Sequence, residues 1–148
     1  MPPGEFTRRF DRDIMHRQDP NDPNNTAEVA RQRDQALQLD KVFEILEHRW
    51  EWLSKRFSGI TRHEVEDGIG QHFRFPDNPD STGAGWLEFR CKPTGTDMGY
   101  TLECVMSIED VFKRRFDYIR FPKLEIDQAR AKSFIETKLL EFAESWQS

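Results

Sequence analysis

Between Ala36 and Phe57, the residues Ala36, Leu39, Phe43, Leu46, Trp50, Leu53 and Phe57 recur at alternating steps of three and four, with no proline among them. This spacing is the tightest constraint in the chain, because an α-helix brings positions three and four apart onto one side. Val42, Ile45 and Trp52 widen the stripe, which suits packing on a sheet better than a two-stranded coil. Asn25-Thr26-Ala27-Glu28 has the pattern of a capping box. Ser58-Gly59 supplies a stop, since glycine enters the left-handed conformation without steric cost. The spacing predicts one helix over 26–57, about 48 Å long. Strands of nine to ten residues reach only about 33 Å. The helix should therefore overhang its sheet, bend, or keep its charged first turns (Glu28 to Gln35) for another chain.

After Gly59 the period changes to two. Alternation predicts four strands, near 62–75, 85–92, 99–107 and 111–121, joined as a meander by stretches rich in Pro, Asn, Asp, Thr and Gly. Leu87, Phe89 and Cys91 share one face of the second strand, and Tyr100, Leu102, Cys104 and Met106 share one face of the third. Gly68 and Gly70 inside the first strand suggest a bulge or bend. Asp127 can cap a second helix over 128–147, with Ala131, Ile135, Leu139, Phe142 and Trp146 on its buried side. The expected fold is α+β and two-layered, in the order α-β-β-β-β-α, with a long N-terminal helix, a four-stranded antiparallel meander and a C-terminal helix. One sheet face should take the helices and the other should be solvated. Residues 26–148 form the single domain. Residues 1–25, punctuated by Pro2, Pro3, Pro20 and Pro23, form a flexible or loosely docked arm. Phe6, Phe10 and Ile14, four apart, would make a narrow apolar stripe if that arm turned helical.

Composition removes several function classes. A 148-residue chain with formal net charge −5 and pI about 5.4 lacks the electrostatic footprint of a duplex nucleic-acid binder and the polybasic excess of a protein held on anionic lipid. The longest strictly apolar run, Cys104-Val105-Met106, is far short of the roughly 20 residues that span a bilayer. Cys91 and Cys104 form no C-x-x-C pair, and the first residues show no charged region followed by an apolar one. A cytoplasmic protein with reduced thiols is expected. His16, His48, His63 and His72 fall in no H-x-x-x-H, H-E-x-x-H or Cys/His cluster, and Glu44 with His48 is half a metal site at best. No metal, cofactor or catalytic constellation is assigned, and no family signature stands out.

The candidate sites follow from a proposed register. If the hairpin turns about Gly95-Thr96, Glu88 faces Glu103, and matching core faces set Arg74 beside Glu88 and Arg115 beside Glu103. The solvated face then carries a row Arg74–Glu88–Glu103–Arg115, with exposed Trp86 beside Val105 as its apolar contact. On the last strand, basic residues alternate with Phe116, Tyr118 and Phe121. That pattern fits an edge protected by an inward Arg114, or a cradle for single-stranded nucleic acid. A bulge near 118–119 would reconcile Tyr118 with Ile119. Inward Tyr100, Tyr118 and Arg114 would line a cavity between sheet and helices.

The function expected first is a non-catalytic protein-interaction module, adaptor-like or chaperone-like, that forms a homodimer or binds a partner protein away from membranes. The alternative is a small-ligand binder or enzyme using the cavity. The least favoured is single-stranded nucleic-acid binding through residues 111–121.

Overall fold

The computed structural model describes residues 4, 7–8, 23–57, 59–65, 69–76, 84–94, 99–109, 111–122 and 125–147. Helix α1 (Pro23–Arg56) leads into strands β1 (Thr61–Glu64), β2 (Ile69–Phe75), β3 (Gly85–Pro93), β4 (Tyr100–Ile108) and β5 (Phe112–Phe121), and helix α2 (Gln128–Gln147) closes the chain. The strands pair antiparallel in the order β1-β2-β3-β4-β5. The class is α+β as expected, with five strands where four were expected. The segment expected as one strand folds back on itself, so that His63 pairs with His72. Gly70 lets β2 approach β3 closely: a Cβ there would lie 1.8 Å from the Phe89 carbonyl oxygen. Gly68, like Phe6, Phe10, Ile14 and His16, lies outside the described residues.

α1 spans 34 residues, about 51 Å. It starts three residues earlier than expected, at Pro23, because the fixed φ of proline suits the first helical turn. Asn25, expected as a cap, falls inside the helix. At the other end Phe57 N–H donates to Leu53 C=O at 2.9 Å, and Gly59 follows with φ +78°. The stripe buries Ala36, Val42, Phe43, Ile45, Leu46, Leu53 and Phe57, whereas Trp52 stays on the outside. Residues 29–35 of the helix are exposed or half-buried. Asp40, just beyond, accepts hydrogen bonds from Thr7 N–H and Oγ1.

Both helices cover one face of the sheet. Phe73, Phe75, Leu87, Phe89, Cys91, Leu102, Cys104, Met106 and Ile108 point into that layer and meet α1 and the Ala131, Ile135, Leu139, Phe142 and Trp146 side of α2. Trp50 stacks on Phe73 at 5.9 Å, and Phe75 meets Phe142 at 4.5 Å. Asp127 caps α2, accepting from Arg130 N–H at 3.2 Å.

Ion pairs close the two margins of this layer. Glu47 on α1 takes Arg62 at 2.6 Å and Gln71 Nε2 at 3.0 Å. Lys138 and Glu141 on α2 take Asp117 at 2.7 Å and Arg115 at 3.2 Å. Arg49 ties α1 to Glu136 of α2. Among the described residues, no helix is long and apolar enough to cross a membrane.

Candidate interaction face

Among the described residues, no helix packs on the second face of the sheet. Strand alternation assigns it Arg74, Trp86, Glu88, Arg90, Lys92, Thr101, Glu103, Val105 and Ser107, because their sequence neighbours are core residues. The expected row of four charges does not form. Arg74 lies opposite Trp86, Glu88 between His72 and Val105, and Glu103 between Arg90 and Tyr118. For Glu88 and Glu103 the cause is the β3–β4 connection. It closes with Thr94 N–H donating to Gly99 C=O at 2.9 Å, and the pairing centres one residue later than Gly95-Thr96. Moving the centre by one residue moves every partner by two, so all side chains keep their faces. The shift also removes the like-charge pair: Arg90 now faces Glu103, and Val105 faces Glu88.

β5 departs further from expectation. Met106 pairs with Arg115 and Ile108 with Phe112, so Lys113 and Arg114 together oppose Ser107 in a β-bulge. The bulge sits here, not near 118–119, and it reverses the expected parity. Arg115 and Asp117 point to the helical side, where α2 holds them, while Lys113, Arg114, Phe116, Tyr118 and Arg120 point to the open side. Arg115 is therefore no part of the open face, and Arg114 is not inward. The three residues expected to line a cavity separate: Tyr100 is buried in the core, and Arg114 and Tyr118 lie on the opposite side of the sheet. Burial, together with the nearby Cys91 and Asp34, raises the Tyr100 hydroxyl above its ordinary range.

The apolar contacts on the open face also differ from expectation. Trp86 is half-buried under the His72 ring, stacked at 5.2 Å and 23°. Val105 is only 7 % exposed. The exposed rings belong instead to Phe116, at 53 %, and Tyr118, at 47 %, with centroids 5.9 Å apart. Arg120 lies 5.5 Å over the Tyr118 ring.

His72, Arg90 and Lys92 complete the electrostatics. Glu88 accepts from His72 Nδ1 at 3.0 Å and from Arg90 at 3.2 Å. A carboxylate only accepts, so Nδ1 carries the proton and Nε2, buried and without a hydrogen-bond partner, faces away from Glu88. Glu103 pairs with Lys92 at 3.5 Å. A surface cavity of about 490 Å³ opens here, lined by His63, His72, Arg74, Glu88 and Arg90 among others. Alternation through Trp86, Glu88, Arg90 and Lys92 was the signal in the sequence for the last two cations.

The two thiols, Cys91 and Cys104, are free and buried. Burial, reinforced by the Glu103 charge, pushes the Cys91 thiol up to about 12. Burial likewise brings Cys104 to about 12. Among the described residues, no group of three or more His, Cys, Asp or Glu side chains is placed to hold a metal ion. No family model, curated protein or solved structure matches this chain.

Proposed function

We propose that this chain is a non-catalytic protein-interaction module that presents the open face of its sheet to a partner protein and associates with a second copy through its helical side. The observation that carries the reading is the pair of half-exposed rings, Phe116 and Tyr118, on a strand whose other face is fastened to α2. Aromatic rings left in water cost hydration free energy and are the usual anchors of protein contacts. Support for self-association comes from Leu37, Trp52 and Leu140, large apolar side chains exposed on the helices. A reducing, cytoplasmic setting belongs to the same proposal, since both thiols are buried and free.

Two measurements test it. Sedimentation equilibrium of the whole chain should give the mass of a dimer, and a strict monomer removes self-association. The variant Phe116→Thr/Tyr118→Thr should lose less than about 1 kcal/mol of unfolding free energy, as surface changes do. A loss of several kcal/mol would mark the rings as part of the fold and remove the platform. A second reading, single-stranded nucleic acid stacked on the same rings, takes support from Arg114 and Arg120 flanking them. Its signature is affinity for oligothymidylate that falls steeply with salt.

A further inference from the structure

We infer that the segment received by the open face is an extended acidic peptide carrying two apolar side chains, laid over β5 and β4; this rests on the platform reading above. The strand positions of the open face hold six cations, Arg74, Arg90, Lys92, Lys113, Arg114 and Arg120, against two carboxylates, Glu88 and Glu103. Both carboxylates are already matched, Glu88 by Arg90 and His72, Glu103 by Lys92. Arg74, Lys113, Arg114 and Arg120 have no carboxylate partner among the described residues. The face thus holds a local positive excess on a chain of net charge −5.

Three of these four cations without a carboxylate partner lie on β5, and the bulge is the reason. Setting two residues against Ser107 turns both Lys113 and Arg114 onto the open side. Along that side the order is cation, ring, ring, cation: Arg114, Phe116, Tyr118, Arg120. A β-strand repeats its same-face side chains every 6 to 7 Å, about twice its rise per residue. An extended peptide repeats its own at the same interval, so carboxylates six residues apart can reach both outer arginines while two apolar side chains at the alternate positions between them cover the rings. Charge complementarity of this kind selects partner and register.

The same observations argue against the other occupants. A second copy would bring its own positive face and be repelled. A polyphosphate strand would place a charge at every step, including over the Phe116 and Tyr118 rings beside Glu103, whereas the peptide keeps its carboxylates at the two outer arginines. An added edge strand would meet Arg115 and Asp117, charges pointing to the helical side at the sheet margin and of the sort that guard edges.

The test titrates the full chain at low salt with three probes. One is a synthetic heptapeptide with Glu, Leu, Phe and Glu at alternate positions and Ser between them. The second replaces Glu by Lys, and the third is oligothymidylate. The acidic peptide should bind, with affinity weakened about tenfold or more by Arg114→Glu/Arg120→Glu, and similarly by raising the salt. Arg74→Glu, on β2, gives an independent and smaller loss. Unfolding midpoints of the variants report that they remain folded. Absence of binding by the acidic peptide, equal binding by the lysine peptide, or tighter binding by oligothymidylate overturns the inference. If the rings prove dispensable for stability and the chain is a dimer while the acidic peptide fails, the partner chemistry falls and the platform stands. If the rings prove structural, the platform falls first.

Discussion

The two faces of this sheet are built from the same five strands and obey different rules. On the helical face, Phe73, Leu87 and Phe89 are fully buried, and the position of each is dictated by packing. On the open face Arg74, Phe116 and Tyr118 are exposed, and no burial dictates their identity. Gly70 and Phe89 show how closely the first rule binds; Glu88 and Glu103 show how loosely the second does, since shifting their register by two left every side chain on its own face. The faces therefore differ in what a substitution should cost, and that difference can be broken by measurement.

The largest effect belongs to the helical face. Phe89→Ala removes a fully buried ring and should cost about 3–5 kcal/mol in denaturant unfolding. A cost near 1 kcal/mol would mean that this layer is loosely packed and that the contrast with the open face is unfounded. Gly70→Ala comes next. The added methyl would sit 1.8 Å from the Phe89 carbonyl oxygen, so β2 and β3 must part. A loss of about 3 kcal/mol is expected, and a neutral result would show that the β2–β3 register differs from Gly70 against Arg90.

What the sequence revealed follows the same division. Parity is written in it, because burial demands apolar residues at every second position: Leu87, Phe89 and Cys91 were legible as one face, and Tyr100 through Met106 as another. The α1 and α2 stripes were legible for the same reason. Trp52 was the exception, since an a/d pattern bounds a stripe without fixing its width. Partners across strands were not legible, because shifting by two residues keeps all faces intact. The β1–β2 hairpin was hidden by continuous polarity. Thr61 to Arg74 contains no strong apolar run whose reversal would mark a turn, and Gly68 and Gly70 read equally as a bend. The bulge at Lys113 and Arg114 was missed because three consecutive basic residues offer no apolar partner by which to detect a change of parity. Every misplaced site residue on β5 traces to that one position.

The margin between the faces gives a third, smaller effect. Asp117 is held below its ordinary range first by the hydrogen bond from Lys138, then by the Tyr118 N–H. For Lys138, burial alone would lower the ammonium, but bonds to Asp117 and Glu141 outweigh it and raise the net value. A depressed carboxyl stabilises above its unfolded value and loses that contribution as pH falls through the folded one, here below the ordinary 3.8. A raised ammonium stabilises below its unfolded value and loses the contribution as pH rises through the folded one, here above 10.5. Lys138→Met should thus cost about 1 kcal/mol or less at neutral pH, since Asp117 is half-exposed. The difference from the parent should narrow below about pH 4 and again at strongly alkaline pH. A difference that stays constant from pH 3 to neutrality would mean that Lys138 acts through packing of its stem, not through its charge.

The smallest effect is the most diagnostic. Val105 is nearly covered although it lies on the open face, and its direct cross-strand neighbour is the exposed Phe116. Part of its cover can come from the Phe116 ring, which itself lies against Tyr118. A double-mutant cycle between Val105→Ala and Phe116→Ala should return a coupling of about 0.5 kcal/mol, the ordinary value of a cross-strand pair. A coupling near 2 kcal/mol would mean that the open face has a packed core of its own around Val105, making Phe116 a structural residue and the contrast between the faces one of degree. A coupling near zero would mean that Phe116 swings free of Val105. The ring would then be fully available to whatever the face receives, and Val105 would have to owe its burial to Glu88 and the strands on either side.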